Sequence, residues 1–190
     1  MGYIIGKIVD YADQNYEFSR FSLAKLKFML ELIFWNAAEF LLFAVVFLCL
    51  GKGTEFFVSA GVLMGIRIFS GGFHLKNFTY CVIFSLAFFI MVIMVLPAVD
   101  ITNGLMEILL AASVLIVAVL APVSKRNTAH SLKSMYIFKF ISIVIALIYT
   151  VWLLYNKNSP YAAICTWTIF MQSFQLIIGK GLLLYEKSKT

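Results

Sequence analysis

Charge is what this chain has least of. Of its 190 residues, 13% are charged and 63% are hydrophobic, whereas soluble domains run at roughly 25% and 45–50%. A domain of this size buries only part of its surface, so the apolar surplus excludes an ordinary soluble fold. Lipid must be the solvent for much of the chain. The mean hydropathy of +0.97 agrees, and so do 19 Phe, nine Tyr and three Trp, whose rings suit lipid contact and headgroup belts. Cysteine is also scarce. Three cysteines without paired spacing exclude a disulfide framework and a zinc site, and no cofactor or metal is expected. The first 25 residues do not read as a cleavable signal peptide, because Asp10, Asp13 and Glu17 interrupt any apolar core. No internal repeat, low-complexity tract or second domain is found.

Six apolar segments can be measured against the roughly 20 residues that a spanning helix needs. They cover about 26–50, 54–70, 81–99, 104–121, 136–155 and 161–184. The second is the weakest. Its apolar run before Arg67 is only about 11 residues, which leaves a re-entrant segment as the alternative. Ahead of the spans, residues 3–24 read as an amphipathic helix, with Ile4, Ile5, Ile8, Val9 and Ala12 at helical spacing. Such a helix lies on the membrane or packs against other segments. The expected fold is therefore all-α and polytopic: residues 1–25 interfacial, 26–184 a six-helix transmembrane bundle and 185–190 a tail, in a single domain.

The basic residues set the expected orientation. With six spans and the N-terminus inside, 13 of the 15 Lys and Arg fall on one side and only Lys52 and Lys157 on the other. The positive-inside rule then puts both termini, the 67–80 loop and the 122–135 loop in the cytoplasm. Under this reading the net charge of +6 serves anionic lipid, and no nucleic-acid partner is expected.

The polar groups that remain are few. His74 and Cys81 share one short segment, RIFSGGFHLKNFTYC. A thiolate is a strong nucleophile, and a neighbouring imidazole takes its proton or stabilises it as an ion pair. On one unbroken helix, seven residues rise about 10.5 Å, far beyond the roughly 2.6–3.2 Å of a working hydrogen bond. A dyad therefore requires a break in the helix, for which Gly71-Gly72 and Lys76-Asn77 are suitable places. On the residues alone, a packing cysteine with a solvated loop histidine remains the alternative. Cys49 and Cys165 read as packing residues, and His130, in the other basic loop, reads as solvated. Arg67 snorkels, pairs with an acid or binds a substrate carboxylate. Glu39, near the middle of the first span and three residues after Asn36, needs a partner or a polar cavity. It orients His74, binds substrate or stays protonated as a structural acid. Glu31 has Lys27 one turn earlier.

The run Arg67-x4-Gly72-x-His74-x6-Cys81 resembles the signature of the AgrB family, accessory gene regulator protein B of Gram-positive quorum sensing. The length, the six spans and a later Ala121-Pro122-Val123 are similar as well. The second loop departs from many relatives, reading APVSKRNTAHS where they carry an acidic residue and an Asn-Lys-Pro step. The resemblance implies a membrane cysteine endopeptidase. It would cut a small amphipathic precursor peptide (AgrD-like) near its C-terminus and promote closure to a thiolactone or lactone pheromone. His74 would be the base and Cys81 the nucleophile, with Arg67 and Gly72 matching family positions. Glu39 is a further candidate for orienting His74 or binding substrate. The expected partners are the precursor, the lipid bilayer and a second copy of the chain. A peptide exporter, or a membrane scaffold without covalent chemistry, is the competing reading.

Overall fold

Bilayer thickness and backbone hydrogen bonding together dictate the elements. A polar backbone in hydrocarbon must satisfy itself, and a helix does so within one segment. The computed structural model describes residues 2–15, 19–72, 78–99, 101–123 and 132–189. It holds seven α-helices among them: α1 (Gly2–Asn15), α2 (Arg20–Cys49), α3 (Gly53–Ser70), α4 (Phe78–Ile90), α5 (Asn103–Leu120), α6 (Leu132–Tyr155) and α7 (Ala162–Ser188). The α4 helix continues as a π-helical stretch (Met91–Val95) and a 3-10 turn (Leu96–Ala98). There Pro97 lacks the N–H that a regular helix would use. Six helical segments are long and apolar enough to cross a membrane: Phe21–Cys49, Gly53–Ser70, Thr79–Ala98, Asn103–Leu120, Met135–Tyr155 and Ala162–Glu186. The chain is an all-α polytopic membrane protein.

Two expected boundaries differ. The N-terminal helix stops at Asn15, not near residue 24, and α2 begins at Arg20. The reason is local. The Ser19 side chain accepts the Ser22 N–H at 3.2 Å, and its carbonyl accepts the Leu23 N–H at 3.1 Å, so Ser19 caps a new helix. The second span is not re-entrant. It is an unbroken helix of 18 residues, about 27 Å long. Its low apolarity has a packing cause: Phe56, Ser59, Ala60, Leu63, Ile66 and Ser70 are all buried at helical spacing, on a helix that packs against α6 and α7. The polar members of that face meet protein groups.

The chain divides into two compact units, Met1–Cys49 and Leu50–Thr190. In the first, α1 packs against α2. Ile5 and Ala12, seven residues apart, are buried, while Ile8 and Tyr11 are exposed. In the second, α7 is the central helix and touches α3, α5, α6 and the π and 3-10 turns. One core cluster joins Val62, Ile66, Met106, Leu110, Leu153, Cys165 and Ile169; another joins Val117, Ala121, Val123, Ala146 and Leu176. Cys165 thus belongs to the packing, as expected.

Small polar residues tie these helices together. Ser59 and Thr168 share a buried hydrogen bond of 2.8 Å between α3 and α7. The Ser173 hydroxyl donates to the Ile169 carbonyl at 2.9 Å and lies 3.4 Å from the Ser113 carbonyl on α5. Apolar area gives little drive between helices in lipid, so close packing and bonds of this kind hold the contacts. The outward side of α5 shows the complementary pattern: Ile108, Leu115 and Val119 are exposed, as suits side chains bathed in hydrocarbon.

Candidate functional site

The end of α3 is built on a glycine that no other residue can replace. Gly71 has φ +73° and ψ −158°, a region open essentially to glycine alone. Its N–H donates to the Arg67 carbonyl at 2.9 Å and closes the helix. The chain then pairs for one residue with the segment that follows α5. The Val123 N–H donates to the Ser70 carbonyl at 2.9 Å, forming an isolated parallel bridge between Gly71 and Val123. A Cβ on Gly71 would overlap the Val123 carbonyl oxygen. Backbone angle and close approach therefore both demand glycine.

A third element completes the clasp. Gln172, fully buried on α7, donates from Nε2 to the Gly71 carbonyl at 3.0 Å, with the Ser70 hydroxyl 3.5 Å from the same nitrogen. The Ser70 hydroxyl also donates to the Gly71 carbonyl, at 3.2 Å. Because that carbonyl can only accept, the amide nitrogen must face it, and this fixes the orientation of the carboxamide. Among the described residues, Gln172 Oε1 is buried without a hydrogen-bond partner, and so is Oε1 of Gln175 one turn on. A buried acceptor without a partner costs about 1–3 kcal/mol and asks for an explanation.

The expected site residues fall around this turn as follows. Arg67, half-buried in the last turn of α3, folds back over Gly72, with its Nε 3.2 Å from where a Cβ there would sit. The structure thus brings the two family positions Arg67 and Gly72 together. Cys81 is the fourth residue of α4, half-buried and without a disulfide. His74 lies outside the described residues, and so do Lys76, Asn77, Lys125, Arg126 and His130. The helical break at Gly71 therefore comes three residues before His74. Glu39 lies within α2, in the first unit; its Oε1 is buried without a hydrogen-bond partner. Cys49 is exposed at the end of α2 and Cys165 is buried on α7.

Reading the sequence missed Gln172 and Ser70, although a signal for Gln172 was present. Gln172 and Gln175 stand in the apolar run IFMQSFQLII, and a polar side chain at that depth must find a partner or serve a function. Ser70, by contrast, looks like any serine at a helix end.

The profile of the family described as Accessory gene regulator B matches residues 3–176. The chain belongs to the AgrB family. The matched span includes Arg67, Gly72, His74 and Cys81, along with the Val123 and Gln172 that hold the turn in front of His74. No curated protein and no solved structure matches the chain. AgrB membership places the chain in the processing of accessory gene regulator peptides. In this AgrB chain, a base type after α3 and a nucleophile type in the first turn of α4 stand seven residues apart in the sequence. Gly71, which follows α3, is held from α3, from Val123 after α5 and from Gln172 on α7.

Proposed function

We propose that the chain is a membrane cysteine endopeptidase that cuts a small AgrD-like precursor near its C-terminus. The observation that carries the proposal is the run from Arg67 to Cys81, which begins in the last turn of α3, ends in the first turn of α4 and lies within the family match. The thiol of Cys81 gives its proton to His74, and the sulfur attacks the scissile carbonyl. The tetrahedral adduct collapses and expels the amine of the C-terminal fragment, which takes the proton from His74. The acyl group remains on Cys81 as a thioester. A thiol or hydroxyl within the precursor then attacks that thioester, releases the Cys81 sulfur and closes a thiolactone or lactone ring. Exchange of one thioester for another is nearly balanced in energy. A site at the bilayer edge restricts water, which favours ring closure over hydrolysis.

Both termini and the active segment face the cytoplasm in this proposal, as the 13-to-2 division of basic residues supports. An amphipathic precursor lies in the same interface, and its acidic tail meets the basic loops. The decisive test reconstitutes the protein in vesicles with an AgrD-like precursor peptide and compares wild type with Cys81→Ala and His74→Ala. A C-terminal fragment released by wild type alone is expected. Cleavage that survives Cys81→Ala refutes the covalent mechanism.

A further inference from the structure

We infer that Gln172 is a positioning residue for the His74–Cys81 pair. It acts through the Ser70–Gly71 turn, and the inference rests on the cysteine-endopeptidase reading above. The turn sits three residues ahead of His74, so whatever orients Gly71 sets the direction in which the chain leaves α3. Besides the bond from the neighbouring Ser70 hydroxyl to the Gly71 carbonyl at 3.2 Å, three bonds do this. Two are backbone bonds, from Gly71 N–H to Arg67 and from Val123 N–H to the Ser70 carbonyl, each at 2.9 Å. The third is the side-chain bond from Gln172 Nε2 to the Gly71 carbonyl at 3.0 Å. It is the only one of the three that belongs to α7, the central helix of the unit. Without it, the turn is referenced only to α3 and to Val123 in the segment after α5.

Chemistry distinguishes Gln172 from a packing residue. It is fully buried in a run of apolar side chains, and its Oε1 has no partner among the described residues. For packing alone, methionine has nearly the same length and shape and would leave no acceptor unsatisfied. The donor on Nε2 is the feature methionine cannot supply. A structural alternative exists on the same pair of helices and serves as a control: the Ser59–Thr168 bond also joins α3 to α7, at 2.8 Å, but it lies 12 residues before Gly71 and holds nothing at the turn.

The test needs no precursor. In a full-length protein with Cys49 and Cys165 replaced by alanine, the rate at which N-ethylmaleimide modifies Cys81 is measured at pH 6.5 in detergent. A thiolate paired with His74 reacts about tenfold faster than an unpaired thiol at this pH, after allowing for its weaker nucleophilicity. His74→Ala should remove that advantage. Gln172→Met should remove it as well, and Gln172→Glu should keep most of it, since a buried carboxyl stays neutral and can donate to Gly71. Ser59→Ala should leave the rate unchanged. Simple loosening of the fold works in the opposite direction, because it exposes a half-buried thiol and speeds modification. A Gln172→Met rate equal to or above wild type, with His74→Ala slowed, overturns the positioning role alone. A rate unchanged by His74→Ala overturns the dyad and this inference with it.

Discussion

Replacing Gly71 with alanine tests whether the α3 turn sets the chemistry. An L-residue at φ +73° and ψ −158° costs about 1–3 kcal/mol relative to glycine. The new Cβ would overlap the Val123 carbonyl oxygen, so the two segments must separate. The bond from Val123 N–H to the Ser70 carbonyl is then lost, which costs about 0.5–1.5 kcal/mol more. Holding the native turn therefore costs about 1.5–4.5 kcal/mol, equivalent to a roughly 10- to 2,000-fold loss if activity requires that geometry. The chain has a cheaper route: the turn moves away from Val123 and most of the global stability survives. The expected result is thus a large fall in precursor cleavage with a modest fall in the detergent melting temperature. Reconstituted vesicles with the precursor supply the first measurement and a thermal melt the second. Cleavage within about threefold of wild type refutes the argument that the turn positions the site. Loss of folded protein altogether shows that the clasp holds the bundle and does not merely direct the segment.

Three further outcomes follow from the geometry. Gly72→Ala should be far milder than Gly71→Ala, about 0.5–1 kcal/mol, because its Cβ meets the Arg67 side chain at 3.2 Å and that side chain can move; an equal loss of cleavage in the two variants contradicts this ranking. Glu39 Oε1 is buried without a hydrogen-bond partner among the described residues, so Glu39→Gln, which removes any charge there, should leave the melting temperature in place or raise it; a fall in a thermal melt shows that the carboxyl makes a contact the amide does not. Lys157 pairs with Glu107 at the surface, where Glu107 is half exposed, so Lys157→Met should shift the melting temperature by no more than about 2–4 °C; a larger shift in a thermal melt identifies the pair as a true tie between α5 and the loop before α7.

The legible part of this protein was the part that depends on near neighbours in the chain. Span lengths, the end of α3 at Gly71 and the placement of Cys81 near the start of a helix all follow from apolar runs and the residues that interrupt them. The same is true of the Arg67, Gly72, His74 and Cys81 pattern, which falls within 15 residues. Even the missed boundary at residues 15–20 had a local signal, the Ser19 cap, obscured because the apolar spacing continued across it. The second span was misjudged as a possible re-entrant segment for a different reason. Hydropathy reports what a helix would prefer around it, and α3 has protein on its polar face.

By itself, the sequence determined that this chain lives in a bilayer, that it is helical, and which few side chains could do chemistry there. These follow from the energetics of polar groups in hydrocarbon, which act residue by residue. Only the tertiary structure decided why residue 71 must be glycine, and that Gln172, 101 positions away, holds its carbonyl. A backbone angle, a steric overlap and a hydrogen bond between distant residues exist only once the helices have packed. The pattern of one segment carries no record of what will press against it.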